Sequence, residues 1–133
     1  MNTKELIDLS FKYRKNIIFD INPSGYFIPN GNILLYSIFF GPPIQTVALN
    51  ITSQIMLLAF NGERTLQEAF EYSFEHFENI SKNEYFYDFM QVVNRLERSK
   101  ILISKADEKY YNNIINNKRE TLKHYQQFLE NEY

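Results

Sequence analysis

The chain is 133 residues long, 44% hydrophobic and 23% charged, with a formal net charge of −2 and no cysteine. That is enough chain and enough apolar content for one ordinary domain with appendages, and for a core that needs no covalent staples. The lack of cysteine excludes disulfides, thiolate metal sites and cysteine nucleophiles and fits a reducing, cytoplasmic setting, while the mildly acidic balance offers a polyanion no general attraction.

Residues 1–16 have neither the continuous apolar stretch nor the small-residue cleavage site of a signal peptide, so they are expected to belong to the mature protein. Within them, Leu6, Ile7, Leu9 and Phe11 alternate with Lys, Glu and Asp, which predicts a short helix over 3–13 with a modest apolar face. Residues 16–21 are a β-branched and aromatic run, ended by the turn signal Asn22-Pro23-Ser24-Gly25. Tyr26, Phe27 and Ile28, then Pro29-Asn30-Gly31-Asn32, then an apolar run over 33–40 predict a hairpin, because Asn-Gly tolerates the positive φ of a type I′ turn. Gly41-Pro42-Pro43 stops the second arm, and a third strand over 44–49 runs straight into a helix. No residue from 21 to 62 is formally charged. Asn, Pro and Gly interrupt that stretch too often for a spanning helix, so it reads as soluble β structure whose neutral edge must be covered or used.

Residues 49–103 hold three apolar-periodic segments separated by two polar joints. The first helix starts near Asn50 or Thr52; Ile51, Ile55, Met56, Leu58, Ala59 and Phe60 wrap most of its circumference, which makes it the expected buried helix, and Asn61-Gly62 ends it. The second, over 66–77, turns Leu66, Ala69, Phe70, Phe74 and Phe77 inward and Glu68, Glu71, Glu75 and Glu78 to solvent. The third, over 82–99, carries Phe86, Phe89, Met90, Val93 and Leu96 at helical spacing, with Tyr85, Asp88, Val92, Arg95 and Ser99 along an adjacent flank. Thr65 with Glu68, and Ser81 with Glu84, are each spaced as a capping box. Residues 101–103 read as a short strand or extended tail. Beyond 105 the composition turns to Asn, Lys, Glu, Gln and Tyr, yet Tyr110, Tyr111, Ile114, Ile115, Leu122, Tyr125, Phe128 and Leu129 keep a helical period. A long helix is expected there, packed on the domain or on a second copy in a homodimer.

These elements predict an α+β fold, winged helix-turn-helix-like, with an N-terminal three-stranded antiparallel sheet followed by three helices and a C-terminal helical extension. The divisions are an N-terminal extension over 1–15, a domain over 16–104 and the extension over 105–133.

No catalytic constellation stands out. His76 and His124 lie far apart and neither has metal-ligand spacing to another His, and HExxH, P-loop and dinucleotide glycine patterns are missing. The glutamates of the second helix lie on an exposed face with no apolar pocket to raise a pKa. The reading is therefore non-enzymatic, with no cofactor and no metal. Three helices followed by an extended segment also describe a DNA-binding winged helix, but the third helix carries Glu84 and Asp88 in its first half and gains Arg95, Arg98 and Lys100 only at its far end. Nucleic acid is not the expected partner, nor is a membrane.

Leu49-Asn50 followed by Thr52, the joint Asn61-Gly62-Glu63-Arg64-Thr65-Leu66, and Phe89, Val92, Val93 and Leu96 leading into Ile101-Leu102 together give residues 49–102 a family likeness. The stretch resembles the PqqD-like RiPP recognition elements, small winged-helix domains that bind the leader segment of a ribosomally made precursor peptide and present it to a modifying enzyme. The chain carries Lys100 where such domains commonly have a small residue before the final apolar pair. The resemblance implies leader-peptide binding by strand addition, with delivery to a separate enzyme such as a radical SAM protein. Carried onto this chain, the strand is Gln45, Thr46, Val47, Ala48 and Leu49 and the facing groove wall is Tyr85, Asp88, Val92 and Arg95. Taken singly, each flank residue reads equally well as ordinary helix surface. A winged-helix DNA-binding regulator and a structural subunit that dimerises through its tail remain the alternatives.

Overall fold

A computed structural model describes residues 1–23, 25–38, 46–106, 109, 111–113, 116 and 127. The architecture is α+β. Asn2 caps α1 (Thr3–Arg14), its side-chain oxygen accepting from the Glu5 amide, and Lys12 and Arg14 in the last turn oppose the negative end of the helix dipole. This helix, placed by sequence in an extension, packs against α4 (Lys82–Arg98), the longest helix among the described residues. Ile7 is buried, and Phe11 meets Phe86 edge-on at 5.0 Å and Phe70 at 6.3 Å. Arg14 pairs with Glu97 and donates to Asn94 at 2.9 Å. The apolar core thus reaches back to α1.

The strands fall into two sheets. β1 (Phe19–Ile21) pairs antiparallel with β5 (Leu102–Ser104), Phe19 opposite Ser104 and Ile21 opposite Leu102. The run over 16–21 thus forms a strand only over its last three residues; Ile18 makes an isolated bridge to Thr65. β2 (Gly25–Asn30), β3 (Ile33–Ile38) and β4 (Thr46–Leu49) form a second antiparallel sheet in that order. Asn30 is opposite Ile33, so the hairpin loop is Gly31-Asn32, one residue later than an Asn-Gly-centred turn. Gly31 has φ +64° but Asn32 is not at positive φ, so the turn is not the type I′ read from sequence, which needs positive φ at both central residues. The expected strand ends at Phe39, Phe40, Ile44 and Gln45, the Gly41-Pro42-Pro43 stop and most of the C-terminal helix lie outside the described residues.

Asn50 caps α2 (Ile51–Leu58), accepting from the Ser53 amide. Met56 and Leu57 are buried, but Ile51 is 54% and Leu58 67% exposed. The all-round apolar helix is thus not buried all round: two turns packed by one face on α3 (Leu66–Phe74), α4, β3 and β4 leave the opposite stripe uncovered by any described residue. The joint after α2 is occupied by local bonds. Asn61 Oδ1 accepts from the Glu63 and Arg64 amides, the Arg64 guanidinium donates to the Ala59 carbonyl at 3.0 Å and lies 3.7 Å over the Tyr72 ring, and Gly62 takes φ +80°.

α3 opens on a complete capping box between Thr65 and Glu68, and the Leu66 and Gln67 amides donate to the Ile17 and Lys15 carbonyls. It ends at Phe74 rather than Phe77, because the His76 and Phe77 amides turn back to carbonyls three residues earlier in tighter 3₁₀-type bonds. At α4 only half of the expected box forms: Ser81 accepts from the Glu84 amide without the reciprocal carboxylate bond. α4 closes in a Schellman turn, the Lys100 and Ile101 amides donating to the Glu97 and Leu96 carbonyls with Lys100 at φ +62°. That backbone is where glycine would be least strained, so Lys100 holds a left-handed position against its own Cβ.

The core between these elements is largely aromatic. Phe70 of α3 stacks on Tyr85 at 5.7 Å and on Phe74 at 6.4 Å, and meets Phe86 edge-on at 5.5 Å. Among the described residues no helix is long and apolar enough to cross a membrane.

Candidate functional site

A groove of about 850 Å³ runs along α4 between α1 and the first turns of α2. Asp88, Val92 and Arg95 of the α4 flank lie in it, as the helical spacing implied. Tyr85 does not. It is 1% exposed, and its hydroxyl donates to Ser73 Oγ among Phe70, Phe74 and Phe77, because the first turn of α4 lies over α3 and that turn of the flank points into the core. Burial pushes the Tyr85 hydroxyl pKa up to about 12, with the bond to Ser73 opposing the shift. Tyr85 is therefore a core residue and leaves the proposed groove wall.

The opposite wall also differs from expectation. It consists of α1, through Leu6, Ile7 and Ser10, and of α2, through Thr52, Ser53 and Met56. Sequence reasoning missed all six, as well as Asn94 and Arg98 on α4. Arg98 follows Arg95 by three and Asp88 by ten, so the flank could have been extended from spacing alone. The α1 contribution had no local signal, since it depends on packing across more than eighty residues of chain, as in the Arg14–Glu97 pair.

β4 reaches the groove through its end. Asn50, directly after Leu49, lines the groove. Leu49 is fully buried and Val47 is packed against the core, while Ala48 is exposed. The side chains of Leu49 and Val47 therefore face inward; what β4 can present to a partner is its backbone. One edge pairs with β3, Ser37 to Leu34 against Thr46 to Leu49, and among the described residues no strand pairs with the other edge. Gln45 lies outside the described residues.

The groove is amphipathic. Ile7 and Met56 are buried and Val92 is half-buried at its floor, and Leu6 stands exposed at its rim. Arg95 donates through its guanidinium to the Oγ of Ser53 at 3.1 Å, and Ser53 is 2% exposed. Arg95 is therefore held from below by a buried hydroxyl while its charge faces the groove. Beside α1, Tyr87 donates to Asp8, and desolvation followed by that carboxylate raises the Tyr87 pKa. Among the described residues no group of three or more His, Asp or Glu side chains is placed to hold a metal ion. Compared with protein-family models, curated proteins and solved structures, the chain gives no significant match, so the groove is interpreted from its own geometry.

Proposed function

We propose that the chain is a non-catalytic, PqqD-like peptide-recognition module with a winged helix-turn-helix-like arrangement. It binds the leader segment of a ribosomally made precursor peptide and delivers it to a separate modifying enzyme such as a radical SAM protein. The observation that carries the reading is β4: a strand with no charge and no proline, whose outer edge no described strand pairs with, in a three-stranded sheet and leading through Asn50 into the α4 groove. Such an edge pairs with an added strand, whose backbone supplies affinity and whose alternate side chains fill pockets. The other edge strand, β2, is blunted by Pro29, which has no amide to offer. The α3 glutamates stay on the exposed side of their helix, and Arg64 and Thr65 are engaged in capping the ends of α2 and α3, so the joint supports the scaffold rather than the ligand.

Calorimetry with the leader of a short peptide encoded beside the chain's own gene tests this, with micromolar or tighter affinity expected. Alternate N-methylation of that leader's backbone removes the ladder donors and should abolish binding. Ala48→Pro, at the exposed position of β4, should weaken it far more than Glu71→Ala on the solvent face. No heat from a folded chain, or equal effects of the two substitutions, refutes the reading. Binding of duplex DNA that falls steeply with salt, with no response to the leader, would favour a DNA-binding regulator instead.

A further inference from the structure

We infer that the α4 groove selects peptides by an acidic side chain, seated at Arg95 and Arg98 beside an apolar residue that fills the floor over Ile7, Met56 and Val92. This rests on the peptide-binding reading above and adds the chemistry of the ligand. The argument is one of charge complementarity. The whole chain carries a net charge of −2, yet among the described residues the groove holds two arginines against the single carboxylate of Asp88. The imbalance is local and lies at one end, because Asp88 is two helical turns from Arg95 along α4.

Arg95 is positioned rather than free to wander. Its guanidinium is tied to Ser53 Oγ, and Ser53 is itself buried in the first turn of α2. A guanidinium has five N–H donors in a planar fork, so one bond to Ser53 leaves others for a carboxylate. Arg98 lies one turn further along the same flank, is exposed, and lines the same groove. The surrounding backbone favours an anion too. Asn50 accepts from the Ser53 amide through its side chain and from the Gln54 amide through its carbonyl, while the Ile51 and Thr52 amides at the start of α2 have no acceptor within the helix. The apolar floor next to this cationic end excludes water from one side of the ion pair, which strengthens it relative to a surface pair.

A displayed library of short random peptides, panned against the full chain, tests the inference. Enriched sequences should share an Asp or Glu adjacent to an apolar residue. Arg95→Ala and Arg98→Ala should each weaken a selected peptide about tenfold, as expected for losing a charge-assisted hydrogen bond. Arg98→Glu, a fully surface change, should prefer the same peptide with its acid replaced by Lys, and it decides the matter if Arg95→Ala does not fold. Peptides that enrich and lose binding on N-methylation, yet show no acidic preference and ignore both arginine substitutions, overturn the inference and leave strand addition standing. Failure to enrich any peptide, or enrichment of peptides indifferent both to N-methylation and to the two arginine substitutions, overturns both.

Discussion

Replacing Tyr85 with Phe separates a core residue from a groove residue. The substitution keeps the ring among Phe70, Phe74 and Phe77 and removes only the hydroxyl that donates to Ser73 Oγ. Ser73 keeps its own bond to the Phe70 carbonyl, so one buried acceptor loses its donor, at a cost of about 1 kcal/mol below pH 10. The parent protein carries a second dependence. Its Tyr85 pKa is raised from 10.0 to about 12, so the neutral form is favoured in the fold, and the associated stability is complete below pH 10 and lost as pH rises through 12. Linkage puts that loss at about 2 kcal/mol by pH 12, more than the hydroxyl contributes, so the two stability curves cross between pH 10 and 12. Tyr87 and Tyr111, whose pKa values are also raised, are common to both proteins and cancel in the difference. Urea unfolding from neutral pH to about pH 11.5 measures it. Parallel curves across that range would refute the buried, neutral Tyr85, and a loss of peptide affinity in Tyr85→Phe would return the residue to the groove.

Phe11→Ala removes the ring that fixes α1 against Phe70 and Phe86; for a half-buried aromatic this costs about 2–3 kcal/mol and lowers the melting temperature by roughly 10 °C, and peptide affinity should fall with it because α1 walls the groove. Thr65→Ala should destabilise by about 1–2 kcal/mol and Ser81→Ala by about half as much, since only the first site makes both bonds of its box. The bond from the Thr65 amide holds the Glu68 carboxyl below its ordinary 4.5, so the stability lost in Glu68→Gln is present above that value and vanishes as pH falls through the native one. Gly62→Ala must place a Cβ 3.0 Å from the Asp20 carboxylate at φ +80° and should cost at least about 1–2 kcal/mol, whereas Lys100→Gly relieves φ +62° and should gain up to about 1 kcal/mol, both read by thermal melting.

Local chemistry alone determined a good deal of this protein. Periodicity located α1, α2 and α4 to within a residue or two, and cap residues marked the start of α3 and α4, because helix starts are set by side chains within three positions of the orphan amides. The neutral stretch and its turn residues announced the hairpin and β4, and helical spacing put Asp88, Val92 and Arg95 on one flank. What required tertiary structure was everything that depends on which distant segment arrives. β1 pairs with β5 across the length of the domain, and the loop after α1 satisfies the first amides of α3. Tyr85 and Asp88 sit three residues apart on one predicted flank, yet α3 covers the first turn of α4 and leaves the next open, so one is buried and the other lines the groove. Ile51 and Leu58 carry no mark in the sequence of being exposed; their exposure follows from α2 having its described neighbours on one side only. The groove's second wall, α1, is invisible locally for the same reason: burial is a sum over contacts from remote parts of the chain, and no window of sequence contains it.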